Sequence, residues 1–141
     1  MGIWLQVLGA FLAVMSLCIM FNVPKRYVLY DGIATAVGWF VYLVVMEKGL
    51  SEMLAMFFAS MVIALTSHIF ARIFKAPVTI FLIPGMLPLV PGVGMYRIVY
   101  YLVIGNNKMS SHYLIQTLLL AGVLALGVFV VDSLFRFLYG K

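Results

Sequence analysis

The chain is 141 residues long, 66% hydrophobic and 9% charged, with a mean hydropathy of +1.19 and a formal net charge of +5. Soluble domains carry roughly 45–50% apolar and about 25% charged residues, so a water-soluble globule of this composition would lack the polar surface to cover itself. The few cations are scattered, with no basic cluster and no interleaving with aromatics, which argues against a nucleic-acid partner.

Charge-free runs cover residues 1–24, 53–71, 76–96 and 109–131. A hydrocarbon core needs about 20 apolar residues as helix. The expected fold is all-α and integral to the membrane, a single domain over residues 1–141 with the lipid bilayer around it. It should be a bundle of about five transmembrane helices, the fourth broken by a Pro/Gly-rich stretch.

The first span is expected over residues 3–21, ending at Asn22-Val23-Pro24-Lys25-Arg26. No Lys or Arg precedes its apolar run, which is too long for a secretory core, so it is expected to be retained as a span. Its lone cysteine, Cys18, excludes an internal disulfide and a cysteine metal cage and reads as a packing residue. The second span is expected over 28–46, ending at Glu47-Lys48-Gly49. Asp31 near its start reads as a carboxylate held by the positive helix end, or as part of a proton or ion relay. The third span is expected over 53–74, ending at Lys75-Ala76-Pro77. His68 lies one turn before Arg72 there. It reads as an interfacial histidine or, with its near-neutral titration, as a proton carrier. Two histidines without a nearby acid make a poor metal site, so no metal and no cofactor are expected.

Residues 78–105 differ from the rest. Pro84, Pro88, Pro91, Gly85, Gly92 and Gly94 fall within eleven residues. Interior prolines remove helix hydrogen bonds and clash with the preceding turn. The expected form is a half-helix around 79–83, an irregular stretch over 84–92 and a second helix from about Val93. Irregular backbone at membrane depth is tolerated only inside protein or beside a cavity, and a broken helix there points to a transporter's substrate site. The second half-helix would offer free backbone N–H groups and a positive dipole end. Arg97 lies about one turn further on, where a carboxylate would be its natural ligand, with Tyr96 adding a hydroxyl. Alternatively Arg97 snorkels to the interface, or pairs with Asp132 or Asp31.

A loop is expected at Gly105-Asn106-Asn107-Lys108, then a last span over 113–138. Asp132 stands four residues before Arg136, the spacing of a helical ion pair, with a proton-relay role as the other reading. Thr66, Ser67, Gln116 and Thr117 read as interhelical polar residues or as the lining of a path. Small residues recur at Gly9/Ala13, Gly32/Ala36, Ala55/Ala59 and Ala121/Ala125, faces that allow close helix packing.

If the proline-rich segment crosses once, six Lys and Arg lie on one side of the bilayer and two on the other. If it dips in and returns, the split is five to three. The crossing is expected, with the N-terminus outside and the C-terminus cytoplasmic, in a multi-pass protein of the cell (inner or plasma) membrane. No catalytic triad, zinc motif or phosphate loop is present, so an enzyme is not expected, and transport would be secondary.

The run Ile83-Pro84-Gly85-Met86-Leu87-Pro88-Leu89-Val90-Pro91-Gly92, followed by Tyr96, resembles the proline-glycine signature of the threonine/serine exporter family. Phe21-Asn22-Val23-Pro24, Ala76-Pro77 and the chain length are also similar. The match is to the C-terminal membrane half of that family, which occurs as a separate small subunit in split systems, including the bacterial succinate exporter. The resemblance implies export of small carboxylate-bearing metabolites and a larger partner subunit corresponding to the N-terminal half. Arg97 is not carried by the resemblance and rests on the physical argument alone. A homo-oligomer is compatible with the small-residue faces. The alternative function is a structural or assembly subunit with no substrate contacts of its own.

Overall fold

The structure, a computed structural model, describes residues 2–140. Six α-helices follow in order: α1 Ile3–Met20, α2 Lys25–Glu47, α3 Glu52–Phe74, α4 Thr79–Met86, α5 Gly92–Val103 and α6 Asn107–Tyr139. A 3-10 turn, Leu87–Leu89, follows α4. Helices α1, α2, α3 and α6 are long and apolar enough to cross a membrane, and α4 with α5 forms a further pair bent by 50°. The all-α membrane bundle expected from composition is the fold observed.

Three helix ends share one device. Asn22, Lys75 and Gly105 take left-handed backbone at φ 57, 52 and 78°. The next N–H in each case reaches back to close the last turn: Val23 to Cys18 O, Ala76 to Ala71 O and Asn106 to Tyr101 O, each at 2.9 Å. This geometry satisfies carbonyls that a helix end leaves open. Two starts are capped by side chains. Ser51 Oγ accepts from Leu54 N–H at 3.3 Å, and Asn106 Oδ1 accepts from Met109 N–H at 3.2 Å. That second cap corrects the expected loop at 105–108, because α6 already begins at Asn107. Helix α2 likewise starts earlier than expected, at Lys25 directly behind Pro24.

The core centres on α3. Ala55, Ala59, Ser60, Ile63, Ala64 and Ser67 are fully buried. Gly38 of α2 lies against Ile63, and Gly127 of α6 lies against Ser60 and the Phe57 carbonyl, so a Cβ at either glycine would collide. Bilayer helices pack through such small residues because lipid removes the hydrophobic drive between them. Gly32, Ala55 and Ala59 serve in this way, whereas Gly9, Ala13 and Ala125 are exposed.

Helix α1 runs antiparallel to α2 at the edge of the bundle. Trp4 stacks on Phe40, and the ring of Phe11 covers Gly32. Helices α3 and α6 run parallel: Ser60 meets Gly127, His68 meets Asp132, and Arg72 meets Tyr139. Helix α6 therefore starts on the side where α3 starts. The chain between them, α4 and α5, leads from the end of α3 back to the start of α6.

The break is narrower than expected. Helix α4 continues through Pro84 to Met86. Pro84 supplies no N–H to the helix and crowds the turn before it, yet α4 runs two residues past it. Pro88 then removes the donor that would have closed on Pro84 O. The Leu87 N–H takes that carbonyl instead, and the shorter bond tightens the chain into the 3-10 turn. At the bend, Gly92 N–H donates to Val90 O at 2.7 Å, with Pro91 at φ −75°, ψ 61°. That is an inverse γ-turn. The irregular stretch is confined to Val90 and Pro91 rather than spread over 84–92.

Candidate functional site

The bend opens a cavity of about 270 Å³ between four helices. Pro88, Leu89, Val90, Pro91, Gly92, Val93 and Gly94 form one wall. Arg97 of α5 faces it, with Tyr113, Gln116, Thr117 and Leu120 of α6 beside it. Trp39 and Tyr42 of α2 and Glu52 and Met56 of α3 complete the lining. Glu52 opens α3, and Tyr113 lies early in α6. The cavity thus occupies the half of the bundle toward the α2–α3 and α5–α6 loops.

Local sequence explains the shape. Gly94 packs against Thr117 so closely that a Cβ there would collide with the threonine side chain. That approach lets α5 lie along α6, where Ser110 Oγ donates to Ile98 O at 2.9 Å. The first helical bond of α5 runs from Met95 N–H to Pro91 O at 3.2 Å, and Gly92 N–H is spent on Val90 O. Helix starts leave such donors without intrahelical partners. Val93 and Gly94 are the two N–H groups that remain at this end, both in residues lining the cavity.

The polar groups are of both signs. The Arg97 guanidinium sits 5.2 Å from the Tyr113 ring centroid, a cation–π arrangement. It has no carboxylate partner among the described residues. Tyr42 O–H donates to Glu52 Oε1 at 3.4 Å, and Trp39 stacks on Tyr42 at 5.1 Å. One guanidinium, one carboxylate, two phenols and an amide thus face one small space.

The expected site residues divide. Pro88, Pro91, Gly92, Gly94 and Arg97 line the cavity, as do Gln116 and Thr117. Pro84 and Gly85 are buried in the core instead, with Gly85 against Ile63 and Thr35. Tyr96 is 67% exposed and stacks on Tyr100 outside the cavity. Arg97 is exposed on the isolated chain, and it pairs with neither Asp132 nor Asp31. Glu52, Tyr42, Trp39 and Tyr113 were not expected. Their one legible signal was Glu52 at a span boundary.

The expected relay residues also divide. His68 Nε2 lies 3.5 Å from Asp132 Oδ1, and Asp132 Oδ2 accepts from Arg136 Nε at 2.9 Å. The parallel course of α3 and α6 supplies His68 with the acid that its own sequence neighbourhood lacks. Its ring stacks on Phe135 at 4.4 Å, and the Arg72 guanidinium lies 3.5 Å over Tyr139. Asp31 forms no ion pair with this cluster. It is not a helix-start carboxylate, since α2 begins at Lys25, and it is fully buried. Among the described residues no group of three or more His, Cys, Asp or Glu is placed to hold a metal ion.

A multi-pass helical bundle whose broken span borders a small two-signed cavity has the architecture of a membrane transport protein. The sequence matches the family described as "Threonine/Serine exporter, ThrE" over residues 6–134, and the chain belongs to that family. No curated protein and no solved structure matches it. Membership makes threonine/serine-exporter-type membrane transport the function class of the chain.

Proposed function

We propose that this chain is a membrane subunit of a secondary transporter that exports small carboxylate-bearing metabolites, and that it binds them in the cavity at the Val90–Pro91 bend. The observation that carries this reading is the meeting of Arg97, the open end of α5 and Glu52 around one cavity of about 270 Å³. The substrate carboxylate would take Arg97 and the Val93 and Gly94 N–H groups, with a positive helix end behind them. The volume suits a small metabolite rather than a drug-sized ligand. Glu52 favours one of the two substrate classes. It offers a counter-charge to an α-ammonium group and repels a second carboxylate. A zwitterionic amino acid such as threonine or serine therefore fits better than a dicarboxylate such as succinate.

A larger partner subunit would complete the path. Helix α5 has no buried residue and packs chiefly on α6, which leaves its outer face for another surface. The excess of cations on the α1–α2 and α3–α4 loops supports a cytoplasmic position for them, with the N-terminus outside. The cavity would then lie in the outer half of the bundle in the cell membrane.

The test is export from dipeptide-loaded cells expressing the chain with and without the neighbouring larger subunit. Threonine, serine and succinate are followed outside. Amino-acid export on co-expression is the expected result. Arg97→Ala should raise the half-saturating substrate concentration about 10–100-fold, the loss of a charge-assisted contact of roughly 1.5–3 kcal/mol, with membrane content unchanged. Wild-type export by Arg97→Ala and Pro91→Ala would instead favour an assembly subunit without substrate contacts.

A further inference from the structure

Asp31 stands on the second turn of α2 and has no exposed surface. Its one side-chain hydrogen-bond partner is the Cys18 thiol of α1, with Sγ 3.2 Å from Oδ2. Oδ1 is buried and has no hydrogen-bond partner. No cation approaches it: the ion pairs among the described residues are His68 and Arg136 with Asp132. Arg26, on its own helix, lies over the Tyr27 ring. Of the titratable groups on α3, Glu52 accepts from Tyr42, His68 meets Asp132 and Arg72 covers Tyr139. Helix α4 carries no titratable side chain. A thiol is a weak donor, and an ionised carboxylate buried in a bundle without a charge partner is strongly disfavoured.

We propose that Asp31 is a proton-binding site, its carboxyl holding a proton in this conformation and releasing it when the contact of α2 with α1 and α4 loosens. The local donors and acceptors favour a proton over a metal cation. Oδ2 already faces a hydrogen-bond donor. The nearby Thr35 hydroxyl donates to Asp31 O at 2.9 Å and lies 3.5 Å from Gly85 O. Among the described residues no group of three or more His, Cys, Asp or Glu is placed to hold a metal ion. The same threonine joins the Asp31 turn to α4, just ahead of the 3-10 turn and the bend. A change of charge at Asp31 thus acts one helix turn from the broken span. The His68–Asp132–Arg136 cluster does not offer this, because its acid already has its cation.

The consequence for transport rests on the exporter reading. A zwitterionic substrate carries no net charge, so membrane potential does no work on it alone, and a protonatable residue supplies the coupled ion. The site itself is tested without transport. Infrared spectra of the whole chain in lipid vesicles are compared at neutral pH between wild type and Asp31→Asn, with wild type also titrated to alkaline pH. The expected result is a protonated-carboxyl C=O band in wild type that disappears in Asp31→Asn and on alkaline titration. The titration stands alone if the variant does not fold. Reaction with a hydrophobic carbodiimide assigns the band. The carboxyl proton passes to a reagent nitrogen while the carboxylate oxygen adds to the central carbon, and peptide mapping should find the adduct on Asp31. Absence of the band at neutral pH overturns the proposal, as does its loss on adding sodium, which would make the site a sodium site. An export assay that fails while the band is present would overturn the exporter reading and leave the proton site standing.

Discussion

Arg97 and Glu52 enter the cavity from different helices, and only one of them announced itself in the sequence. Arg97 follows the proline-glycine run by a few residues, so local spacing placed it beside the bend. Glu52 is separated from Arg97 by most of α3, the α3–α4 loop and the broken span. Only packing brings the two to one space. The same holds for His68 and Asp132, which meet because α3 and α6 run parallel. Asp31 shows the opposite case: it looked like the first turn of a helix, and an earlier start at Lys25 buried it. The charge pair yields a prediction at this scale. Glu52→Gln removes the repulsion toward a second carboxylate and the attraction to an ammonium. Competition assays on the co-expressed exporter should show weaker inhibition by serine and stronger inhibition by succinate. Unchanged relative inhibition would remove Glu52 from the substrate contacts.

The broken span was legible as an element because proline chemistry is local. Its detail was not, since the length of the break depends on which carbonyls find other donors. Pro84 sits inside α4 without ending it, and Leu87 N–H compensates the loss at Pro88. The close seam between α5 and α6 was also hidden, since Gly94 looks like a flexible residue until Thr117 is seen against it. Gly94→Ala should overpack that seam and cost about 1–3 kcal/mol, read as a lower unfolding temperature in detergent. Gly94→Ala with Thr117→Ala should recover much of the loss, because the colliding hydroxyl and methyl are gone. Gly127→Ala should be harder to rescue, because its Cβ also meets the Phe57 backbone carbonyl.

For the whole molecule, the parallel pairing of α3 and α6 sets the course of the bent pair between them, and counting that pair as one span gives five. Composition and charge-free runs already implied such a bundle. Hydropathy carries no tertiary pairing, so it did not show which helix lies centrally. The orientation is open to direct measurement. In a Cys18→Ser background, single cysteines at Gly49 and Lys75 should react with membrane-impermeant maleimide from opposite sides, Gly49 from outside. Labelling of both from one side would contradict the span assigned to α3. The bend also has a mechanical consequence. The pyrrolidine ring of Pro91 locks its φ, and Gly92 N–H is tied to Val90 O. Few free torsions therefore connect the two half-helices. Any swing of α5 is confined to a narrow arc, as at a hinge pin, and Arg97 rides along that arc toward or away from the α2 and α3 walls.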